Sequence, residues 1–341
     1  MKIAYLQCYS GISGDMLLSA LLDAGIPEPA FREMLNILGI KDSEVILTKV
    51  IKKGISATSI QVVPDADRGH LHVADIRSAI QTCGLSQPVI ERAQRAFELI
   101  VAAESKVHGV DYDHVHLHEV SGLDTIVDLL GVSWGIEYLG IEKIYASPLN
   151  VGSGTVKISH GVVPVPAPAT ALILQGIPIV DDGLPGERTT PTGAALAVAC
   201  VDSFSAPGRL VPLVVGYGAG MLDSGDRANV LRLILGKADE VSAHRTVESL
   251  MMLETDIDDD TPEIIGYAMD RIRAHPDVLD ASVVPTLRKK DRPGFLVRIL
   301  VRDTGVDAVS DVIFSETSTL GVRRMPVIRT CLPREVVTVK T

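Results

Sequence analysis

Hydrophobic and polar positions fall into two regimes along the 341 residues. Through residue 236, short β-rich apolar runs alternate with stretches whose apolar residues recur every three or four positions. Residues 2–9 (KIAYLQCY) predict a buried strand. The loop SGISG follows, then a helix over DMLLSALLDAG closed by Gly25. Residues 27–38 repeat the helical pattern, and 45–63 carry two β-rich arms around Lys52, Lys53 and Gly54, a hairpin signal. VADIRSAIQTC, PVIERAQRAFELIVAAESKVHG and TIVDLLGVSWGIEYLG are helical. IYASPLNVGSGTVKI reads as strand–turn–strand, and LVPLVVGYG and NVLRLIL as strands, with GYGAG (216–220) a backbone turn.

Beyond a charged, non-periodic stretch at 237–245 (KADEVSAHR), a predicted linker, the order is strand (SLMMLETDI), helix (PEIIGYAMDRIRA), strand (ASVVPTL), strand (GFLVRILVR), helix (VDAVSDVIFSE), strand (GVRRMPVIRT). That βαββαβ order is the ferredoxin-like signature. The expected architecture is therefore an N-terminal α/β domain, 1–236, with a mixed sheet and helices, and a C-terminal ferredoxin-like α+β domain, 246–341.

Composition narrows the function classes. Hydrophobic residues at 46% and charged residues at 22% describe a globular chain. A formal charge of −11 opposes phosphate backbones at long range, which argues against nucleic acid as a partner, yet suits a protein that handles cations. Cys8, Cys83, Cys200 and Cys331 are far apart with no CxxC spacing, so a reducing compartment is expected. No run of about 18 apolar residues occurs, and the first residues are too brief for a signal-peptide core; a soluble cytoplasmic protein without a membrane span is expected.

Six segments carry candidate chemistry. In HVHLHE (114–119), His114, His116 and His118 share one face if the segment is a strand, with Glu119 beside them; imidazole at that spacing suits zinc, copper, iron or nickel. Asp124 or Asp128, at the start of the next helix, would add oxygen ligands. The SGISGD loop (10–15) joins strand to helix: Ser13 is placed to cap the helix, Gly14 permits a tight backbone, and Asp15 suits the positive helix end. TTPTGAA (189–195) is a second helix entry rich in hydroxyls, either a cap or a cavity lining. Near the C-terminus, TDIDDDTPE (255–263) gathers Asp256, Asp258, Asp259, Asp260 and Glu263 around a strand-to-helix turn. An oxygen cluster of this kind takes Mg²⁺ or Mn²⁺ together with substrate phosphates, although Thr261, Pro262 and Glu263 also fit plain helix capping. LRKKDRPG (287–294) supplies Arg288, Lys289, Lys290 and Arg292, and ETSTLGVRR (316–324) adds hydroxyls with Arg323 and Arg324. The acidic and basic turns are complementary to a metal–triphosphate, and the three segments are expected to meet at one end of the sheet.

Taken in order, CYSGISGDM, HVHLHEVSGLDTIVD, GSGTVKISHGVVPVPAPAT, RTTPTGAA, GYGAG, ETDIDDDTPE, KKDRPG, ETSTLGVR and LPREVVTV resemble the nickel-insertion proteins of nickel-pincer nucleotide (lactate racemase cofactor) biosynthesis, over nearly the whole chain. The resemblance implies a CTP-dependent nickel chelatase, or cyclometallase, of the lyase class. Its substrates would be Ni²⁺ and pyridinium-3,5-bisthiocarboxylic acid mononucleotide, and its product would go to apo lactate racemase or a related enzyme. It implies CTP bound with Mn²⁺ or Mg²⁺ in the C-terminal domain. Carried over by position, Asp256, Asp258, Asp259 and Glu263 serve the divalent ion, and Lys289, Lys290, Arg292, Thr317, Thr319 and Arg323 the nucleotide. His114, His116, His118, Glu119, Asp124 and Asp15 become the nickel contacts, and Ser13, Gly14, Thr190, Thr192 and Gly193 the precursor contacts.

Three departures stand out. Members of that family often carry Asp where this chain has Gln7, many have a histidine tract where this chain has DADRGHLH, and relatives continue into a further strand beyond Thr341. Exposed sheet edges predict a homo-oligomer. Two other readings fit some of the same clusters: a metal-dependent nucleotide phosphohydrolase or nucleotidyl transferase, and a non-catalytic nickel-binding or storage protein.

Overall fold

The computed structural model describes residues 1–63, 71–112, 115, 117, 122–159, 161–222, 227–238 and 246–331. The chain divides into two compact units, Met1–Asp239 and Glu240–Thr341.

The first unit runs β1 (Lys2–Gln7), α1 (Gly14–Asp23), α2 (Glu28–Ile37), β2 (Val45–Lys52), β3 (Ile55–Val62), α3 (Val73–Gln81), α4 (Gln87–His108), α5 (Leu123–Tyr138) and β4 (Lys143–Ala146). Short pieces follow: β5 (Leu149–Asn150), β6 (Gly152–Ser153), β7 (Thr155–Ile158), β8 (Gly161–Pro164), α6 (Pro168–Ile173), β9 (Ile179–Val180) and β10 (Gly186–Glu187). The unit closes with α7 (Pro191–Cys200), β11 (Leu210–Ala219) and β12 (Val230–Ala238).

Its main sheet has the order β2-β3-β11-β12-β1-β4 and is mixed as expected: β1 runs parallel to β4 and β3 to β11, while the remaining neighbours are antiparallel. Alternation along β1 sends Ala4 and Leu6 into the core. Helix α1 lies on that face, and α5, buried nearly all round, packs behind it. In α4, Val89, Ala93, Ala96, Phe97 and Ile100 recur at helical spacing and form its buried stripe.

Three local expectations are corrected. GYGAG is not a turn: Gly216 and Gly218 lie inside β11, because a side chain at either would strike the α1 backbone, at Ala20 O (2.4 Å) and Met16 O (1.8 Å). The first strand stops at Gln7, short of the expected residue 9. Lys237 and Ala238 belong to β12, where Lys237 pairs with Lys2; of the stretch expected as linker, residues 239–245 lie outside the described residues.

The second unit has the expected β-α-β-β-α-β order: β13 (Thr246–Ile257), α8 (Pro262–Arg273), β14 (Val278–Leu287), β15 (Pro293–Val301), α9 (Val306–Glu316) and β16 (Arg323–Cys331). Its antiparallel sheet has the order β14-β15-β13-β16. Leu253, Ile257, Val297 and Ile299 pack against Ile265, Met269 and Ile313 of the two helices. No helix among the described residues is long and apolar enough to cross a membrane.

Candidate functional site

In the first unit, three helix N-termini converge on a cavity of about 420 Å³ lined by residues that include Ser13, Asp15, Asp124, Asp128, Glu187 and Thr192. The loops before α1 and α7 are knitted together: Ile12 N–H donates to Arg188 O (3.0 Å) and Thr190 N–H to Ile12 O (3.1 Å). Thr189, fully buried, donates its hydroxyl to Asn150 O at 2.6 Å, which fixes the second loop to the short strands below.

Of the residues expected here, Ser13, Gly14, Asp15, Asp124, Thr190 and Thr192 do line one cavity. One of them differs in role from the expectation. Ser13 stands at the N-cap position of α1 but does not cap it; its hydroxyl donates to the Asp15 carboxylate. Thr190 caps α7, accepting from Gly193 N–H at 3.2 Å. Gly193, the remaining residue expected as a precursor contact, lies in the first turn of α7. A side chain there would meet Ile12 O at 2.2 Å, so the glycine is required for the close approach of α7 to the loop before α1.

Asp128 and Glu187 also line the cavity, together with Ile60, Gln61, Val62, Pro191 and Met221. Asp128, the other candidate oxygen ligand at this helix start, sits one turn beyond Asp124 on α5. Glu187 gave no signal, because it reaches the cavity only through the β6–β10 ladder. Its carboxylate accepts from Ala167 N–H and the Thr170 hydroxyl, both at 3.1 Å.

The electrostatics of this cavity are strained. Asp128 is only 9% exposed and pressed against Gly14, where a Cβ would lie 2.1 Å from its Oδ2. Burial first, then the charges of Asp15 and Asp124, push its carboxyl well above the ordinary aspartate range. Asp15 is raised too, by burial foremost and by Asp124, against the opposing hydrogen bond from Ser13. Mutually repelling carboxylates in one partly dry cavity are relieved by a cation or by protons. Cys8, buried beneath the same loop, has its thiol pushed up to about 12 by burial, so it supplies no thiolate at neutral pH.

His114, His116, His118 and Glu119 lie outside the described residues. Between them, Val115 and Leu117 are buried and belong to no sheet. Among the described residues, no three His, Cys, Asp or Glu side chains gather in metal-holding geometry.

In the second unit the acidic turn, the basic turn and the hydroxyl loop do meet. Asp256 Oδ2 accepts from Arg288 (2.7 Å) and Arg323 (2.8 Å), and Ser318 donates to Asp259 through its hydroxyl and to Asp260 through its N–H (2.9 Å). The buried Thr255 hydroxyl bonds Thr319. Thr317 turns back, its hydroxyl donating to Ile313 O at 2.7 Å.

Capping accounts for part of the expected cluster. Thr261 is the N-cap of α8 with Pro262 at N1, and Glu263 is fully exposed, its carboxyl held below the ordinary range by its own N–H and by Thr261. Asp256 Oδ1 is buried with no hydrogen-bond partner among the described residues, an orphaned acceptor beside a strand end. Lys289 and Arg292 are exposed and make no ion pair among the described residues; Lys290 lies in the same turn, its side chain outside the described set.

The geometry offers an acidic cavity at three helix starts in the first unit and, in the second, a cation-rich turn beside the Asp256 carboxylate. Over residues 4–341 the sequence matches the nickel insertion protein family, and the chain belongs to that family. The pyridinium-3,5-bisthiocarboxylic acid mononucleotide nickel insertion protein of Geobacillus kaustophilus is 39% identical over 357 residues, covering 100% of this chain and 87% of that protein. A relative in Geotalea daltonii, also named for nickel insertion, is 40% identical over 338 residues, covering 98% of this chain and 86% of the relative. Among solved structures, the apo C-terminal domain of a cyclometallase involved in the synthesis of the NPN cofactor of lactate racemase aligns at 33% identity with a TM-score of 0.27, covering 28% of this chain and 65% of that one.

Proposed function

We propose that this chain inserts Ni²⁺ into pyridinium-3,5-bisthiocarboxylic acid mononucleotide in a CTP-dependent reaction, as a nickel chelatase, or cyclometallase, of the lyase class. The observation that carries the reading is the acidic cavity, where Asp15, Asp124 and Asp128 repel one another and a divalent substrate ion relieves the repulsion. In this reading Asp15 and Asp124 receive nickel with His114, His116, His118 and Glu119, while Ser13, Gly14, Thr190 and Thr192 border the precursor. With the Cys8 thiol protonated, the soft ligands come from the precursor's own sulfurs.

The second unit binds CTP. Lys289, Lys290, Arg292 and Arg323 meet the triphosphate, and Thr319 borders the same end of the sheet. Thr317, whose hydroxyl is spent on the end of α9, shapes the loop instead. The orphaned Asp256 Oδ1 fits a hard cation such as Mn²⁺ or Mg²⁺ held jointly with phosphate oxygens, with Asp258 and Asp259 nearest in the turn. That ion would supply charge neutralisation for the triphosphate. Glu263, engaged at the start of α8, is the weakest of the expected ligands.

The product passes to apo lactate racemase or a related enzyme in the cytoplasm, and the protein acts as a homo-oligomer. Incubating the purified chain with precursor, Ni²⁺, CTP and Mn²⁺ should activate apo lactate racemase. Equal activation with ATP or GTP refutes the CTP assignment, and no activation with any nucleotide refutes the reading.

A further inference from the structure

The main sheet of the first unit has a second face, away from α1. There Gln7, Arg232 and Tyr217 stand side by side on three neighbouring strands, because Gln7 and Tyr217 both pair with Arg232 in register. They floor a cavity of about 280 Å³ whose walls include Tyr9, Ser10 and Arg227.

The two arginines differ. Arg227 is neutralised by Asp182, lies 3.7 Å over the Tyr9 ring and donates to the Tyr9 hydroxyl at 2.8 Å. Arg232 donates through Nε to the neutral Gln7 Oε1 and has no carboxylate partner among the described residues. Gln7 thus orients the guanidinium without cancelling its charge, and the outer edge of the fork is left for an anion. A planar two-pronged donor beside aromatic walls is suited to a phosphate monoester.

The same loop serves both cavities. Ser10 lines this one and Ser13 the acidic one, and three residues of chain span at most about 11 Å. A mononucleotide whose metal-binding ring entered the acidic cavity would have its phosphate repelled by the carboxylates there, Asp124 foremost, and would need a cationic pocket within that reach. We propose that Arg232, oriented by Gln7 and flanked by Tyr217, binds the phosphate of the mononucleotide precursor. This rests on the function proposed above.

Calorimetry on the full chain with the precursor mononucleotide and with its dephosphorylated nucleoside tests the idea. Wild type should bind the mononucleotide roughly tenfold to a hundredfold more tightly. Arg232→Gln should abolish that preference and leave nucleoside affinity unchanged, while Arg232→Lys, which keeps the charge but not the fork, should fall between. Arg232 is exposed, and unchanged melting of both variants would exclude misfolding as the cause. A wild type that does not distinguish the two ligands, or an Arg232→Gln variant that still does, overturns the site. A wild type that prefers the mononucleotide but inserts no nickel overturns the proposed function and leaves the phosphate site standing.

Discussion

Replacing Gly193 by Ala sets two physical effects against each other, and their balance tests how α7 is seated. Gly193 lies in the first turn of α7, where Ala is favoured over Gly by up to about 1 kcal/mol on helix propensity alone. The added Cβ, however, would lie 2.2 Å from Ile12 O, 2.6 Å from Ile12 C and 2.7 Å from Ser13 Cα. Carbon–oxygen contacts settle near 3.3 Å, so the loop before α1 would have to retreat by about 1 Å. Two backbone hydrogen bonds, to Arg188 O and from Thr190 N–H, resist that retreat.

Overpacking of this kind costs about 1–3 kcal/mol, which outweighs the propensity gain. At about 2–4 °C per kcal/mol for a unit of this size, Gly193→Ala should melt several degrees below wild type in a circular-dichroism scan. Thr192→Ala, next door but facing the cavity, should shift stability by no more than about 0.5 kcal/mol while weakening precursor binding. A Gly193→Ala protein that melts at or above wild type would refute the close approach.

Asp128→Asn should change how stability depends on pH. Because the folded-state carboxyl is raised, the native protein holds a proton that the unfolded chain releases. Wild-type stability should therefore be fully present below the unfolded aspartate range and fall as pH rises toward the raised value, by at most about 1.4 kcal/mol per pH unit. The variant lacks this loss and should melt above wild type at neutral pH; parallel melting curves from pH 5 to 8 would contradict it. Lys289→Ala should weaken CTP binding by roughly tenfold or more in calorimetry and leave Ni²⁺ binding intact, whereas loss of both would argue against two separable sites.

The second unit was legible in the sequence because each element carries its own periodicity and its turns are marked by TDIDDDTPE, KKDRPG and ETSTLG. Local pattern failed where tertiary packing overrode it. Gly216 and Gly218 look like turn residues but serve a strand crossed closely by α1, and Ser13 looks like a cap but serves Asp15. The acidic cavity was half legible: the two loops at helix starts advertised themselves, while Glu187 and the pairing of Gln7 with Arg232 depend on sheet registers that no local motif encodes. Burial, not residue type, sets Asp128 apart from the other aspartates, and burial is a property of the folded chain.

The most direct test of nickel insertion is a single-turnover reaction of the purified chain with precursor, Ni²⁺, CTP and Mn²⁺, followed by mass spectrometry and metal analysis of the released small molecule. The account predicts a product carrying one nickel per precursor, formed only when CTP is present. Hydrolysed CTP with the precursor recovered unchanged, or nickel retained on the protein regardless of CTP, would contradict it.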